Sequence, residues 1–346
     1  MIERLPKAVL HEHLDGGLRV GTILEIADEE GYTDLPAWDD EALTEWFYQG
    51  RSGSLERYLE AFVHTIGVMQ SAKAVARVAY ESAEDLANDG VVYAEIRFDP
   101  GLCTRRGLRR EDVLEAALDG FARASRDTGI TVNTIATALR QKSDSTEVVK
   151  AAIPFLGRGV VAFDLAGPEK GYPPDAHLEA CLLAREHGFG LTLHAGEGDG
   201  VHSMWRALAL CGAQRIGHGV RIADDTDFDG SRITELGSFA RRVRDHRIPL
   251  EVAITSNLHT SSYRSVEEHP FAALHAQGFN VSINTDNRLM SGVSVSHEYW
   301  LAANTFGLDE GDLGEITINA IEAGFGDWGQ RRNIIDDVVR PSYGIS

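Results

Sequence analysis

Cysteine is scarce in this chain of 346 residues. Its three cysteines, Cys103, Cys181 and Cys211, lie far apart and form neither a Cys-x-x-Cys pair nor a regular framework. Disulfide scaffolds and thiolate metal sites both need cysteines at close or regular spacing. We therefore expect buried, reduced thiols and a cytoplasmic protein.

Long apolar segments are missing as well. The first six residues do not combine a basic region with a following apolar stretch. No later segment approaches the ~18 uncharged apolar residues that a membrane-spanning helix needs. We expect neither a secretory leader nor a membrane partner.

Basic residues are outnumbered by acidic ones. Lys and Arg total 33 against 53 Asp and Glu, which gives a formal net charge of −20. Proteins that bind nucleic acids or anionic membranes neutralise phosphates with clustered Lys and Arg, so we expect no nucleic-acid partner. The chain also lacks a Gly-x-Gly-x-x-Gly segment after its first predicted strand, which disfavours a dinucleotide-binding fold.

Eight strand-like runs alternate with segments of helical periodicity. The predicted strands are 8–11, 91–98, 131–139, 160–165, 191–194, 215–218, 250–255 and 280–284. The predicted helices include 73–88, 110–128, 176–187, 203–211 and 233–245. This alternation predicts an α/β fold, a single (β/α)8 TIM barrel that residues 1–346 form as one domain.

The first crossover, over residues 32–69, is longer than a barrel needs. Its pattern predicts two extra helices, around 41–47 and 55–69. Because they are inserted after the first strand, we expect these helices to overhang the barrel mouth as a lid.

The first predicted strand ends in His11-Glu12-His13. Two imidazoles two residues apart on an extended segment face the same side and can reach one metal ion, although strand-end histidines are often purely structural. Three later strands end in a similar way, at His194, His218 and Asp286. Because a parallel barrel gathers the C-terminal ends of its strands, we expect these side chains to converge.

Three imidazoles and one carboxylate form a ligand set that zinc prefers, with one position left for water. We predict that one zinc ion per chain is held by His11, His13, His194 and Asp286. Glu197, three residues after His194, is placed to act as a general acid beside the metal. His218 would orient or deprotonate the metal-bound water.

At these positions the sequence resembles the adenosine deaminase family of zinc-dependent aminohydrolases. The matching segments occur in the order of the family along nearly the whole chain. They are His-Glu-His-Leu-Asp-Gly at 11–16, Asp-Leu-Ala-Gly at 164–167, His-Ala-Gly-Glu at 194–197, Arg-Ile-Gly-His-Gly at 215–219, Ser-Asn-Leu at 256–258 and Asn-Thr-Asp at 284–286.

The resemblance implies hydrolytic deamination of adenosine to inosine and ammonia, through attack of a metal-activated hydroxide at purine C6. It also implies that Glu197 protonates purine N1 and that His218 assists the hydroxide. Asp15 would bind the ribose 5′-hydroxyl, and Gly167 and His13 would contact the substrate. Whether 2′-deoxyadenosine is also accepted stays open.

The sequence departs from many family members at Asn287, where they have a second aspartate. Purine N7 is an acceptor, and an amide donates at any pH, whereas a carboxyl must be protonated to donate. We expect Asn287 to make this contact. The run 287–292 also replaces a proline-containing segment of the family, and similar relatives act on 5′-substituted adenosines such as 6-aminodeoxyfutalosine, which stays an alternative substrate.

Other classes of function stay in competition with this one. A nucleoside-binding barrel without catalysis has no need for both a proton donor and a water-activating histidine. Hydrolases of esters or amides on the same barrel would leave Asp15 and Gly167 without a specific role. Zinc deaminases of nucleic-acid bases use a Pro-Cys-x-x-Cys segment, which this sequence lacks. The sequence leaves the oligomeric state open.

Overall fold

A sheet of eight parallel strands forms the centre of the computed structural model, which describes residues 2–50 and 52–345. The strands are β1 (Lys7–His13), β2 (Val91–Phe98), β3 (Thr131–Leu139), β4 (Val160–Ala166), β5 (Gly190–Ala195), β6 (Arg215–His218), β7 (Thr226–Phe228), β8 (Ile233–Leu236), β9 (Leu250–Val252) and β10 (Val281–Ile283). The large sheet has the order β1-β2-β3-β4-β5-β6-β9-β10, and β7 pairs with β8 separately. Most residues of the eight strands are buried, as expected for a parallel sheet enclosed by helices.

The sheet closes between its first and last strands. The backbone N–H of Asp286, just after β10, donates to the carbonyl of His11 at 2.9 Å, and the N–H of His13 donates to the carbonyl of Asp286 at 2.8 Å. The side-chain oxygen of Asn284 accepts the amides of Leu10 and His11 at 2.8 and 3.0 Å. The predicted (β/α)8 barrel is confirmed, and its closure joins two of the predicted ligand segments.

Helices surround the barrel. They are α1 (Val20–Glu30), α2 (Asp40–Phe47), α3 (Leu55–Leu59), α4 (Phe62–Val68), α5 (Ala72–Asn88), α6 (Arg110–Thr128), α7 (Ser145–Ala152), α8 (Leu178–Glu186), α9 (Val201–Arg206), α10 (Ser238–Asp245), α11 (Ile254–His259), α12 (Phe271–Ala276), α13 (Arg288–Ser291), α14 (Val295–Phe306), α15 (Glu310–Ala323), α16 (Trp328–Ile334) and α17 (Arg340–Tyr343). Helix α5 illustrates how local sequence sets them. Ser71 accepts the N–H of Ala74 as its N-cap, and Val75, Val78 and Leu86 recur at helical spacing on the buried face.

The extra helices between β1 and β2 cover the mouth of the barrel. Tyr58 of α3 and Phe62 of α4 line the cavity at the C-terminal ends of the strands. The Tyr58 hydroxyl also shares a 2.7 Å hydrogen bond with the hydroxyl of Ser291, which follows β10. The predicted helix 55–69 is interrupted after α3 and so forms two short helices, and residue 51 of the insertion lies outside the described residues.

The predicted helix 233–245 was wrong in its first part. Residues of β8 pair antiparallel with β7, and α10 begins only after this hairpin. The carboxylate of Asp225 accepts the backbone amides of Phe239 and Ala240 at 2.9 and 2.8 Å, which fixes the start of α10. Strands of three and four residues are too short for their period to stand out from that of the adjoining helix.

The cysteines behave as the sequence indicates. Cys103, Cys181 and Cys211 are free and buried. Over the two described ranges, no helix combines the length and the apolar content that a bilayer crossing requires.

Candidate active site

The four predicted metal ligands meet at one end of the barrel. His11 and His13 lie in β1, His194 lies in β5, and Asp286 follows β10. The Oδ1 atom of Asp286 lies 3.3 Å from Nε2 of His11 and 3.3 Å from Nε2 of His13, while the Nε2 atoms of His13 and His194 are 3.2 Å apart. One ligand atom from each of the four residues lies within 4.8 Å of all the others. This group can hold a metal ion.

Carboxylates behind the cluster determine which nitrogen each histidine presents. Nδ1 of His11 donates to Glu251 at 2.8 Å, and Nδ1 of His194 donates to Asp164 at 3.0 Å. The Nε2 atoms of both rings are thereby left as lone-pair donors toward the common point, which is the usual arrangement around metal-binding histidines. The Ser256 hydroxyl donates to Oδ2 of Asp286 at 2.7 Å, so Oδ1 is the oxygen that faces the imidazoles.

A buried ion-pair network supports these carboxylates from the barrel interior. The guanidinium of Arg97 donates to Asp164 at 3.2 Å and to Glu251 at 2.5 Å. Arg215 donates to Glu95 at 2.7 Å and also to Glu251. Sequence reasoning missed Glu251, although an acidic residue between apolar neighbours in a barrel strand is itself a signal that a buried partner exists.

Four buried polar atoms of the predicted site lack a hydrogen-bond partner within residues 2–50 and 52–345. We call them the open atoms, and they are Nε2 of His11, Oδ1 of Asp15, Oε1 of Glu197 and Oδ1 of Asn287. Buried polar groups are normally paired, because an unmet hydrogen bond costs about 1–3 kcal/mol. The open atoms therefore mark positions where a metal ion or a substrate would complete the pairing.

Glu197 occupies a rigid loop after β5. The buried carboxylate of Glu169 accepts the backbone amides of Gly196 at 2.7 Å, Glu197 at 3.0 Å, Gly198 at 2.9 Å and Asp199 at 3.0 Å. One carboxylate thus orders the whole turn that carries the predicted proton donor. Sequence reasoning quoted no role for Glu169, whose contacts depend on the fold.

The surroundings of Glu197 favour the neutral form of its carboxyl group. Burial raises the pKa of Glu197 well above its ordinary value, and the nearby carboxylates of Asp286 and Glu169 raise it further. Its Oε2 atom lies 3.5 Å from Nε2 of His218. A protonated carboxyl group in this position can donate to a bound molecule.

His218 and Asp286 have backbone conformations that only a few non-glycine residues adopt. Their φ angles are 59° and 60°, in the left-handed region. Such conformations cost about 1–3 kcal/mol and concentrate at functional sites, where the surrounding structure enforces them. Here they turn both side chains toward the group of candidate metal ligands, so that the His218 ring lies 4.6 Å from that of His11.

A cavity of about 160 Å³ opens beside the cluster. Asp15, Gly167 and Asn287, the residues predicted to contact the substrate, line it together with three of the candidate metal ligands, His13, His194 and Asp286. Burial raises the pKa of Asp15 to about 7. Gly167 has a φ of 90°, and a Cβ there would lie 2.5 Å from the amide oxygen of Gln141, so this position requires glycine.

A (β/α)8 barrel with three imidazoles and a carboxylate at its strand ends, and with a buried carboxyl group of raised pKa beside them, defines a class of protein. This class is that of barrel hydrolases that work with a bound metal ion.

Comparisons with known proteins identify the family. The family described as "Adenosine deaminase" matches residues 6–341. The chain is 48% identical over 350 residues to the adenosine deaminase of Mycobacteroides abscessus, covering 99% of this chain and 97% of that protein. It therefore belongs to the adenosine deaminase family.

Solved structures agree with this fold. An adenine deaminase from Arthrobacter aurescens superposes with a TM-score of 0.87 at 26% identity, covering 96% of this chain and 98% of that one. An amidohydrolase from Burkholderia ambifaria, with bound Zn, superposes with a TM-score of 0.85 at 24% identity, covering 99% and 92% of the two chains. The latter similarity concerns the fold alone. The roles of individual site residues stay predictions.

Proposed function

We propose that the protein is a zinc-dependent aminohydrolase that converts adenosine and water into inosine and ammonia. The observation that carries this proposal is the position of Glu197, whose carboxyl group, with its raised pKa, lines the cavity beside the candidate metal ligands. Simple ester and amide hydrolases would leave Asp15 and Gly167, which also line this cavity, without a specific role. Membership of the family and its relatives named adenosine deaminase support the same substrate.

The donor set fits zinc better than a hard cation. Three imidazole nitrogens and one carboxylate oxygen match the preference of zinc, whereas calcium and magnesium take oxygen ligands. The open Nε2 atom of His11 is a buried lone pair that a metal ion would satisfy. His11, His13, His194 and Asp286 would hold one ion per chain. Zinc bound there would lower the pKa of a water molecule toward ~7 and so supply a nucleophile at neutral pH.

The side chain of Glu197 would donate and accept the protons of the reaction. Glu197 would donate its proton to purine N1 as the water oxygen adds to C6, because the addition moves the C6–N1 electron pair onto N1 and protonation neutralises the negative charge that develops there. The resulting carboxylate takes up the proton that the added water releases, and it delivers this proton to the departing amine. The C6–N bond then breaks and ammonia leaves. The proton of the 6-hydroxyl group returns to Glu197, which leaves the 6-oxo purine of inosine and the protonated carboxyl group.

The other cavity residues would orient the substrate. The open Oδ1 atom of Asp15 is an acceptor suited to the 5′-hydroxyl of ribose. The backbone at Gly167 can approach the purine edge closely because no side chain intervenes. Asn287 would donate to N7 through its amide nitrogen, in the amide orientation that turns Nδ2 and not the open Oδ1 atom toward the purine.

The test is ammonia release by the zinc-loaded protein from adenosine, 2′-deoxyadenosine, adenine and a 5′-substituted adenosine such as 6-aminodeoxyfutalosine, measured side by side. We expect rapid release from adenosine. Release confined to the 5′-substituted compound or to adenine would keep the reaction and reassign the substrate. Tight nucleoside binding without ammonia release from any compound would refute an enzymatic role.

Two wider assignments accompany this proposal. Residues 1–346 would form a single domain, in line with the one large sheet that spans the described chain. The protein would act in the cytoplasm on a small purine nucleoside, which agrees with three unpaired thiols and an acidic net charge.

A further inference from the structure

A chain of buried hydrogen bonds leads away from His218 toward the back of the site. Asn257 of α11 contacts His218 on one side and His269 on the other, and His269 precedes α12. All three side chains are at most 2% exposed. Neither Asn257 nor His269 touches the cavity, so the proposed mechanism leaves both without a role.

The donor and acceptor roles in this series of hydrogen bonds are set at its His269 end. The backbone N–H of Phe271 can only donate, and it donates to Nδ1 of His269 at 3.2 Å. Nδ1 of His269 therefore carries no proton, because a proton there would face another donor. The single proton of the neutral ring must lie on Nε2, and burial lowers the pKa of His269 to about 3, which keeps the ring neutral.

The side-chain amide of Asn257 takes its orientation from His269 and determines which nitrogen of His218 is protonated. Nε2–H of His269 donates to the Oδ1 atom of Asn257 at 3.3 Å, which orients the amide. Its Nδ2 atom then donates to Nδ1 of His218 at 3.1 Å. A proton on Nδ1 of His218 would again face a donor, the amide nitrogen of Asn257. The proton of His218 therefore lies on Nε2, the nitrogen that faces Glu197.

We propose that Asn257 and His269 are positioning residues that hold His218 in its Nε2–H tautomer, so that His218 acts as a hydrogen-bond donor and not as a base. This inference rests on the proposed function and decides between the two roles predicted for His218. No proton moves to His218 during the reaction; its Nε2–H orients the attacking oxygen. With Oε2 of Glu197 facing this donor, the carboxyl proton of Glu197 lies on its open atom, Oε1.

The tautomer can be observed directly in the zinc-loaded protein. Two-bond ¹H–¹⁵N correlation spectra of histidine-labelled protein distinguish Nε2–H, Nδ1–H and doubly protonated rings. The His218 signals are assigned by their loss in His218→Gln. We expect the Nε2–H pattern for His218 and for His269 at neutral pH. An Nδ1–H or doubly protonated pattern for His218 would overturn the proposal, whatever the activity.

Substitution of Asn257 tests the consequence for catalysis. Asn257→Asp introduces a group that only accepts, so it favours Nδ1–H on His218 and turns Nε2 into an acceptor. We expect kcat to fall about 10²-fold, as for loss of one donor to a reacting oxygen, with little change in KM or zinc content. An unchanged kcat together with a switched tautomer would show that donation by His218 is not needed.

Two substitutions of His269 separate positioning from packing. The amide nitrogen of His269→Gln can still donate to Asn257, whereas His269→Leu removes the donor and leaves the Asn257 amide free to flip. We expect His269→Gln to keep most of the parent kcat and His269→Leu to lose about tenfold, with mixed tautomers in its spectrum. His246→Gln, at an exposed histidine, is the control for the same chemical change.

The outcomes distinguish this inference from the proposed function. Equal kcat values for His269→Gln and His269→Leu would overturn the positioning role. If the parent shows the Nε2–H tautomer but releases no ammonia from any purine substrate, the hydrogen-bond chain stands and the proposed function fails.

Discussion

Individual carboxyl groups in this site have opposite tasks because their surroundings differ. Glu251 is fully buried, yet Arg97, Arg215 and the His11 ring hold its pKa well below the ordinary value, against the effect of burial. Glu197 is equally enclosed, but burial and neighbouring carboxylates raise its pKa. One carboxyl group therefore stays ionised to orient a metal ligand, and the other keeps a proton to donate.

Replacement of that proton donor is the sharpest change of a single residue. Glu197→Gln preserves shape and hydrogen-bonding capacity but has no acidic proton, so we expect kcat to fall by about 10²–10⁴-fold. Zinc content and thermal stability should match those of the parent, because Glu197 is not among the predicted zinc ligands. Near-normal turnover of the zinc-loaded variant would show that another group protonates N1.

The pH profile tests the role of Asn287. An amide donates to N7 at all pH values, whereas the carboxyl group in Asn287→Asp donates only while protonated. The variant should therefore keep activity below the pKa of the introduced group and lose it as the pH rises through that value. We expect the alkaline limb of the kcat/KM profile to move to lower pH than in the parent. Superimposable alkaline limbs in the two profiles would refute the N7 contact.

At the scale of elements, the loop after β5 shows how distant residues set local geometry. Its four consecutive backbone amides donate to the carboxylate of Glu169. This residue follows β4 and lies 27 to 30 positions earlier in the sequence than the four amides. Hydrogen bonds to a charged group contribute about 1.5–3 kcal/mol each, so this contact dominates the order of the turn. The direction of the Glu197 side chain depends on it.

Glu169→Gln keeps the size of the anchor but replaces one acceptor oxygen with a donor. We expect hydrogen exchange of the amides at 196–199 to accelerate and kcat to fall about tenfold or more, which corresponds to ~1.4 kcal/mol. Because Glu169 acts through Glu197, adding the same change to Glu197→Gln should cost little more. Glu179→Gln, at an exposed position of α8, is the charge-matched control.

Additive losses in that double variant would contradict the positioning role of Glu169. Unchanged exchange at the amides of residues 196–199 would contradict the anchoring contact itself.

Some elements could be predicted from the sequence because their own residues carry a clear pattern, and others could not because their structure depends on contacts with other segments. Strands β1 to β5 contain apolar segments separated by stretches of helical periodicity, and β6 ends at a histidine, so their positions and their order in the barrel could be predicted. Hairpin β7-β8 could not, since its pairing joins short segments that are only partly buried. The break between α3 and α4 likewise has no clear glycine or proline signal in the sequence.

At the scale of the whole molecule, an ionic network occupies the barrel interior where apolar side chains are usual. Arg97 and Arg215 lie among Glu95, Asp164 and Glu251, and all five side chains are at most 1% exposed. Removing one partner of such a network leaves uncompensated buried charge. The network thus couples the stability of the barrel to the orientation of the metal ligands above it.

Arg97→Leu should lower the free energy of unfolding by about 3–5 kcal/mol in chemical denaturation, because Asp164 and Glu251 lose their shared cation. Zinc affinity should fall as well, since both carboxylates orient ligand histidines. Arg264→Leu breaks an exposed pair with Glu268 and should leave both quantities unchanged. Equal stability of the two variants would contradict a structural role for the network.

The sequence predicted the groups that face the cavity but few of those that support them. His11, His13, His194, Glu197, His218 and Asp286 stand at strand ends, where the chain itself signals a change from apolar to ionisable residues. Glu169 and Glu251 act through contacts between segments distant in the chain, and only the closed barrel defines those contacts. The hydrogen-bond direction at Asn257 similarly requires atomic positions.

The most direct test of the central claim is ammonia release from adenosine as a function of zinc content. The protein is stripped with a chelator, reloaded in steps and assayed at each step, with bound zinc measured per chain. We predict activity that starts near zero, rises in proportion to zinc and reaches a plateau at one ion per chain. Full activity in the stripped protein, or no ammonia at full loading, would contradict the account.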